Sequence, residues 1–167
     1  MARPCVVDAS LLIALGKAGQ LDLLRKTQAY EWRIAPIARG ELKKPETKQP
    51  VEQMILDGVI PCVELDSDQP EALALFAQWS ERVDPGEAES IAIALANGWL
   101  VGLEDLSSQR QLDRVVGPGQ WINCANILIE AVQSGSLSLA KADEIFRSLD
   151  VYTGYASRGI RSLAQLM

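Results

Sequence analysis

Cys5-Val6-Val7-Asp8-Ala9-Ser10-Leu11-Leu12-Ile13-Ala14-Leu15 reads as a buried strand that ends on a carboxylate and passes into a helix. The apolar run Cys5-Val6-Val7 suits a strand covered on both faces, as in a parallel sheet. Ser10 is a good N-cap for a helix through Leu11–Leu15, and Gly16 weakens that helix near its end. Asp8 therefore stands at the carboxyl end of a strand, which is where open α/β sheets bind their ligands. Asp105 stands in a similar place, two residues beyond the run Trp99-Leu100-Val101-Gly102-Leu103.

Further strand-like runs extend the pattern. Segments at about 4–7, 32–35, 60–65, 98–103 and 120–123 are separated by helical patterns. This alternation predicts a three-layer α/β/α domain with a mainly parallel central sheet of about five strands. At 167 residues the chain is expected to form one domain over 1–167, with the C-terminal helices and tail from about 124 onward as part of it. Such a chain buries about 70% of its unfolded surface, enough for a real core. A helix begins near Leu21-Asp22-Leu23-Leu24. Asp68-Gln69-Pro70-Glu71 has the form of a capping box before Leu73, Phe76 and Ala77, and Ser138 is placed to cap the second of two helices between Ala125 and Leu149.

Composition narrows the chemistry. The chain has no histidine, so imidazole acid/base work, Ser/His/Asp triads and histidine-ligated metals are excluded. Three cysteines, Cys5, Cys62 and Cys124, lie far apart in apolar stretches, as reduced core thiols of a cytoplasmic protein would. No run approaches the roughly 20 apolar residues of a membrane span, and no secretory leader pattern opens the chain. The net charge of −6 argues against a broad nucleic-acid footprint, although carboxylates gathered at a metal would account for part of it.

Four carboxylates, Asp8, Glu41, Glu89 and Asp105, are expected to be buried without an obvious cationic neighbour. In Asp84-Pro85-Gly86-Glu87, Asp84 suits the N-cap and Pro85 the first helical position, so Glu87 has a complete role as a capping-box partner. Glu89 has none, although every other residue from Ala88 to Ala96 except Ser90 is apolar, and residues 87 and 89 point about 200° apart on a helix. Burying an unpaired carboxylate there costs several kcal/mol, on the order set by desolvation. Taken singly, Glu41 could pair with Lys43 or Lys44, Asp8 could cap the first helix, and Asp105 could start a helix at Leu106 beside an exposed Glu104. The case for a site rests on the set.

Four ordered blocks, Val6-Val7-Asp8-Ala9-Ser10-Leu11-Leu12-Ile13-Ala14-Leu15, Gly40-Glu41-Leu42, Gly86-Glu87-Ala88-Glu89-Ser90-Ile91-Ala92-Ile93-Ala94-Leu95 and Leu103-Glu104-Asp105 with Arg110, resemble the PIN-domain family, closest to a PIN-like prokaryotic subgroup. The resemblance spans residues 5 to about 115, and Gln120 to Leu149 is similar to that subgroup's C-terminal helices. It implies a nuclease that binds Mg2+ or Mn2+ through Asp8, Glu41, Glu89 and Asp105 and hydrolyses RNA phosphodiesters, with Ser10 and Arg110 in support. It also implies a toxin of toxin–antitoxin type with a small antitoxin partner, and a homodimer. The family commonly has Thr or Ser where this chain has Leu103, and often Asp where it has Glu89.

Physical chemistry explains what such a cluster does. Two carboxylates 4 Å apart repel by about 4 kcal/mol at an effective dielectric of 20, so converging acids raise one another's pKa unless a cation neutralises them. Oxygen-only ligands select Mg2+ or Mn2+ over zinc. Lys17, Arg39, Lys43, Lys44, Arg110 and Arg114 flank the blocks and could line a phosphate groove, though single surface cations are more often simply solvated. Trp99 and Trp121 read as core residues rather than base-stacking platforms. The alternative to a nuclease is a catalytically inactive PIN-like binding or regulatory module. A haloacid-dehalogenase-like phosphatase would require a second Asp at Ser10.

Overall fold

Arg3–Val7 forms β1, whose last three residues are fully buried because the strand is covered on both faces. The computed structural model describes residues 1–167. The chain turns from β1 into α1 (Ala9–Lys17), a short α2 (Leu23–Lys26), β2 (Tyr30–Ile34), α3 (Pro36–Glu41) and α4 (Pro45–Leu56). After a long connection come α5 (Pro70–Ser80), α6 (Pro85–Asn97), β3 (Leu100–Gly102), α7 (Leu106–Val115) and β4 (Trp121–Ile122). Three helices follow, α8 (Cys124–Gln133), α9 (Leu139–Ser148) and α10 (Tyr152–Ser157), and a final 3-10 turn at Leu163–Leu166.

All strand pairs are parallel, in the order β2-β1-β3-β4. Val7 lies opposite both Ile34 and Gly102, and Gly102 lies opposite Ile122, so the four carboxyl ends are level. The expected strand at 60–65 contributes one parallel bridge, Ile34 to Cys62, with Ile34 N donating to Pro61 O at 3.1 Å and Val63 N donating to Ile34 O at 2.9 Å. Pro61 has no N–H to continue a ladder, which suits this outermost position. Cys62 is exposed there, unlike the buried Cys5 and Cys124 and contrary to the expectation of three core thiols.

Side-chain alternation along β1 divides the core in two. Cys5 and Val7 join one apolar cluster with Leu11, Leu12, Ile34 and Leu128, while Val6 faces a second with Trp79, Ile91, Val101 and Leu103. Helices α1, α8 and α9 cover the first face and α5, α6 and α7 the second, which gives the three expected layers. Trp99 and Trp121 pack partly buried against the second cluster. Residues Gly86 to Ala94 of α6 are buried without interruption, and the helix stops at Gly98, whose φ of 67° is the left-handed conformation that glycine adopts at low cost.

Caps differ from expectation at α1 and α5, and again at α6. Asp8, not Ser10, is the N-cap of α1. At α5 the N-cap is Gln69 without a side-chain bond, and the Asp68 N–H donates to Asp66 Oδ1 at 2.9 Å rather than to Glu71. Ser138 caps α9 as expected.

Gly16 sits where α1 crosses α4. A Cβ at this position would come within 2.1 Å of Thr47 Oγ1. Gly16→Ala is therefore expected to destabilise the protein by about 1–2 kcal/mol even after the helix-propensity gain of alanine. Gly40, helical with open space around its Cα, should instead gain about 0.5–1 kcal/mol on substitution by alanine. Urea denaturation reads both, and equal shifts in one direction would contradict the α1–α4 packing.

Candidate active site

Because the four carboxyl ends are level and the order reverses about β1, the segments that leave β1 and β3 border a crevice. Asp8 follows β1 and is 1% exposed. Its Oδ2 accepts from Ser10 N at 2.9 Å, which caps α1, while its Oδ1 is buried without a partner. Burial raises the Asp8 pKa, the N–H groups of Ser10 and Ala9 oppose the rise, and the charge of Asp105 adds to it.

Asp105, beyond β3, caps α7 by accepting from Ser108 N at 2.7 Å. The buried Ser108 hydroxyl lies 2.8 Å from Asp105 Oδ1 and 2.8 Å from Glu87 Oε2, and so ties together two carboxylates from different helices. Burial pushes Glu87 up to about 7; the Ser108 hydrogen bond opposes this, and the charges of Asp8 and Asp105 reinforce it. Glu41 ends α3 and reaches over α6, where a Cβ on residue 86 would fall 2.5 Å from its Oε1 and displace the carboxylate. Burial raises the Glu41 pKa, with Asp8 and Asp84 adding to the effect. Asp8, Glu41, Asp84, Glu87 and Asp105 line one open cleft of about 470 Å³, in which Arg82 is the one cation.

The cleft gathers three of the four expected carboxylates and leaves out Glu89. Glu89 is buried, but it points to α3, where its Oε2 accepts from Ile37 N at 2.8 Å and supplies the cap that Ala35 lacks. Its pKa is raised by burial, against the Ile37 bond. Glu87 takes its place: the expected capping box does not form, since Asp84 makes no side-chain cap bond. Two signals for Glu87 were present. Residues 87 and 89 lie on opposite sides of the helix, so one at most can face the cleft, and Gly86 marks a close approach beside the first of them. Glu41 and Asp105 are exposed rather than buried as expected.

Supporting residues also divide. Ser10 borders the cleft, and its Oγ accepts from Glu104 N at 3.1 Å, which ties the segment bearing Asp105 to α1. Glu104 is not an exposed neighbour: it is half-buried, and its Oε2 accepts from Cys124 N at 2.8 Å at the start of α8. Arg110 faces a separate hollow with Trp121 and Asp113. Arg39 is engaged by Glu52 through two contacts of 2.9 and 2.6 Å.

No three acidic or thiol side chains converge closely enough to hold an ion directly. The donors are nonetheless hard oxygens, and Asp8 Oδ1 is a buried acceptor without a donor. That set fits Mg2+ or Mn2+, because Mg2+ keeps several waters and needs direct bonds from only one or two carboxylates.

An open parallel sheet flanked by helices, with an acidic cleft at its strand-order reversal, defines a three-layer α/β protein. The chain belongs to the PIN-domain family: the family model described as PIN domain matches residues 4–162. A Pyrobaculum aerophilum protein of known crystal structure is similar at a TM-score of 0.51 and 16% identity, over 80% of this chain and 92% of that one. A PilT N-terminus domain protein of Sulfolobus solfataricus gives a TM-score of 0.49 at 17% identity, over 81% and 94%. At such identity the first likeness concerns the fold alone. No curated protein matches the chain.

The raised Glu87 pKa fixes the sign of a pH effect. A carboxyl whose folded pKa exceeds its unfolded value favours the folded state at low pH, and this contribution fades as pH rises from about 4.5 to about 7. In EDTA, the unfolding temperature should fall between pH 5 and pH 8, and Glu87→Gln should flatten that fall. Parallel curves for the two proteins would remove Glu87 as its source.

Proposed function

We propose that this protein is a divalent-metal-dependent ribonuclease that hydrolyses RNA phosphodiester bonds, using Mg2+ or Mn2+ bound largely through water in the cleft formed by Asp8, Glu87 and Asp105, with Glu41 at the rim. One observation carries the reading: carboxylates from four separate segments face one cleft at the carboxyl edge of the sheet, in a chain of the PIN-domain family. Once bound, such an ion would neutralise these groups, acidify a water for attack on phosphorus and steady charge on the leaving oxygen.

The chain's own residues supply position. Asp8 offers Oδ1 while Oδ2 stays on the helix amide. Ser108 keeps Glu87 beside Asp105, and Gly86 admits Glu41 over the start of α6. Glu87 is pushed up to about 7 by burial and by the charges of Asp8 and Asp105, a rise that a bound cation would offset. Glu89 acts at a distance by anchoring the start of the helix that ends in Glu41.

A second reading, a PIN-like binding module without turnover, draws on Leu103, which is fully buried in the core and brings no hydroxyl to the cleft. Ser10, Ser107 and Ser108 line the cleft instead. A small antitoxin partner, a homodimer and a cytoplasmic location belong to the same proposal and rest on the sequence. No helix is long and apolar enough to cross a membrane. Co-purification with the product of the neighbouring reading frame reads the first, and light scattering reads the second.

Cleavage of single-stranded RNA with Mn2+ tests the main reading. Asp8→Asn, Glu87→Gln and Asp105→Asn should each lower the rate by about 10²–10⁴-fold. Glu89→Gln should stay within about tenfold in rate while losing about 1–2 kcal/mol of stability. Absence of cleavage by the metal-replete wild type would leave the binding-module reading in its place, and a loss at Glu89 equal to that at Asp8 would return Glu89 to the site.

A further inference from the structure

Lys17 ends α1, and Lys43 and Lys44 form the link from α3 to α4. Their side chains line one cavity of about 250 Å³ with Glu41, Glu46 and Thr47. Glu41 and Ile13 line this cavity and the acidic cleft alike, so the two are contiguous.

The close α1–α4 packing builds this hollow. Thr47, 2% exposed, rests directly on Gly16, which sets residue 17 beside the first turn of α4. Helix α4 spans twelve residues and begins without a side-chain cap; Pro45 has no N–H and Thr47 N donates to Lys44 O at 3.1 Å, so the cavity's attraction for an anion rests on the three lysines. Lys43 and Lys44 take part in none of the molecule's salt bridges. Lys17 meets Asp150 at 2.9 Å, but both side chains are largely exposed, and a pair of that kind exchanges readily. A chain of net charge −6 can hold a polyanion only where its charge is locally reversed, and this cavity is such a place next to the carboxylates.

We propose that Lys17, Lys43 and Lys44 form a phosphate subsite for the RNA strand, adjacent to the phosphodiester held in the acidic cleft. The strand then runs from the start of α6 across Glu41 to the start of α4. For the identity of the strand this rests on the ribonuclease reading; the cavity and its charge stand on the geometry alone.

Binding of a labelled single-stranded RNA to the Asp8→Asn protein in Mg2+, over a series of monovalent salt concentrations, tests it. Each lost phosphate contact on a single strand reduces the slope of log K against log salt by about 0.7, so adding Lys43→Gln and Lys44→Gln should reduce it by about 1.4 and weaken binding roughly 25-fold at 0.1 M salt. Lys141→Gln, which breaks an exposed pair with Glu144, should leave the slope unchanged. Thermal unfolding checks that the lysine variants are folded. An unchanged slope, in a protein whose wild type cleaves RNA, overturns the subsite and spares the nuclease. A reduced slope in a protein that never cleaves keeps the subsite and removes the nuclease, and no binding at all overturns both.

Discussion

The strand order β2-β1-β3-β4 obliges the connections that leave β1 to part company. Since β2 lies on one side of β1 and β3 on the other, the chain beyond Val7 and the chain beyond Gly102 end side by side with no strand between them. The gap at this reversal is the one place on the sheet edge where helix starts from both layers can face a common space. The placement of Asp8, Asp105 and the amino end of α6 follows from that arrangement, and the carboxylates occupy a position that the topology had already opened.

Two glycines and one glutamate then adjust the walls. Gly86 lets Glu41 lie across α6, Gly16 lets α4 close onto α1, and Glu89 fastens the start of α3 to the middle of α6. Helix α3 is only six residues long and would be marginal alone. Its amino end is bound by Glu89 and its last residue, Glu41, is received by Gly86, so a single partner helix holds both ends. This explains why a carboxylate that never reaches the cleft is buried two residues from one that does.

The fold was legible because strand and helix periods alternate clearly, and apolar runs such as Cys5-Val6-Val7 have few other readings. Asp8 and Asp105 were legible for the same reason, as residues that follow strands. Glu87 and Glu89 lie the other way round from what their local sequence suggests, Glu87 on the cleft and Glu89 against α3. Local cap chemistry explained Glu87 too well, while Glu89 stood out as an unexplained acid in an apolar helix, and its partner, the amide of Ile37, lies 52 residues away in sequence where no local pattern can show it. Ser108 was missed because a serine on an amphipathic helix carries no signal until two carboxylates are found on either side of it. The segment at 60–65 looked like a strand by composition, but Pro61 limits it to one bridge.

Asp8, Asp84 and Asp105 are the N-caps of α1, α6 and α7, and all three line the same cleft. Three helix amino ends therefore converge there, each carrying roughly half a positive charge, interleaved with the carboxylates. In such a mosaic the helix ends weaken the hold of the carboxylates on a lone cation, and the carboxylates weaken the hold of the helix ends on a lone phosphate. A cation and a phosphate arriving together meet opposite poles in alternation, and each strengthens the hold on the other. If the cleft binds metal and nucleic acid as proposed above, reciprocity of linked equilibria requires each to be held more firmly when the other is in place.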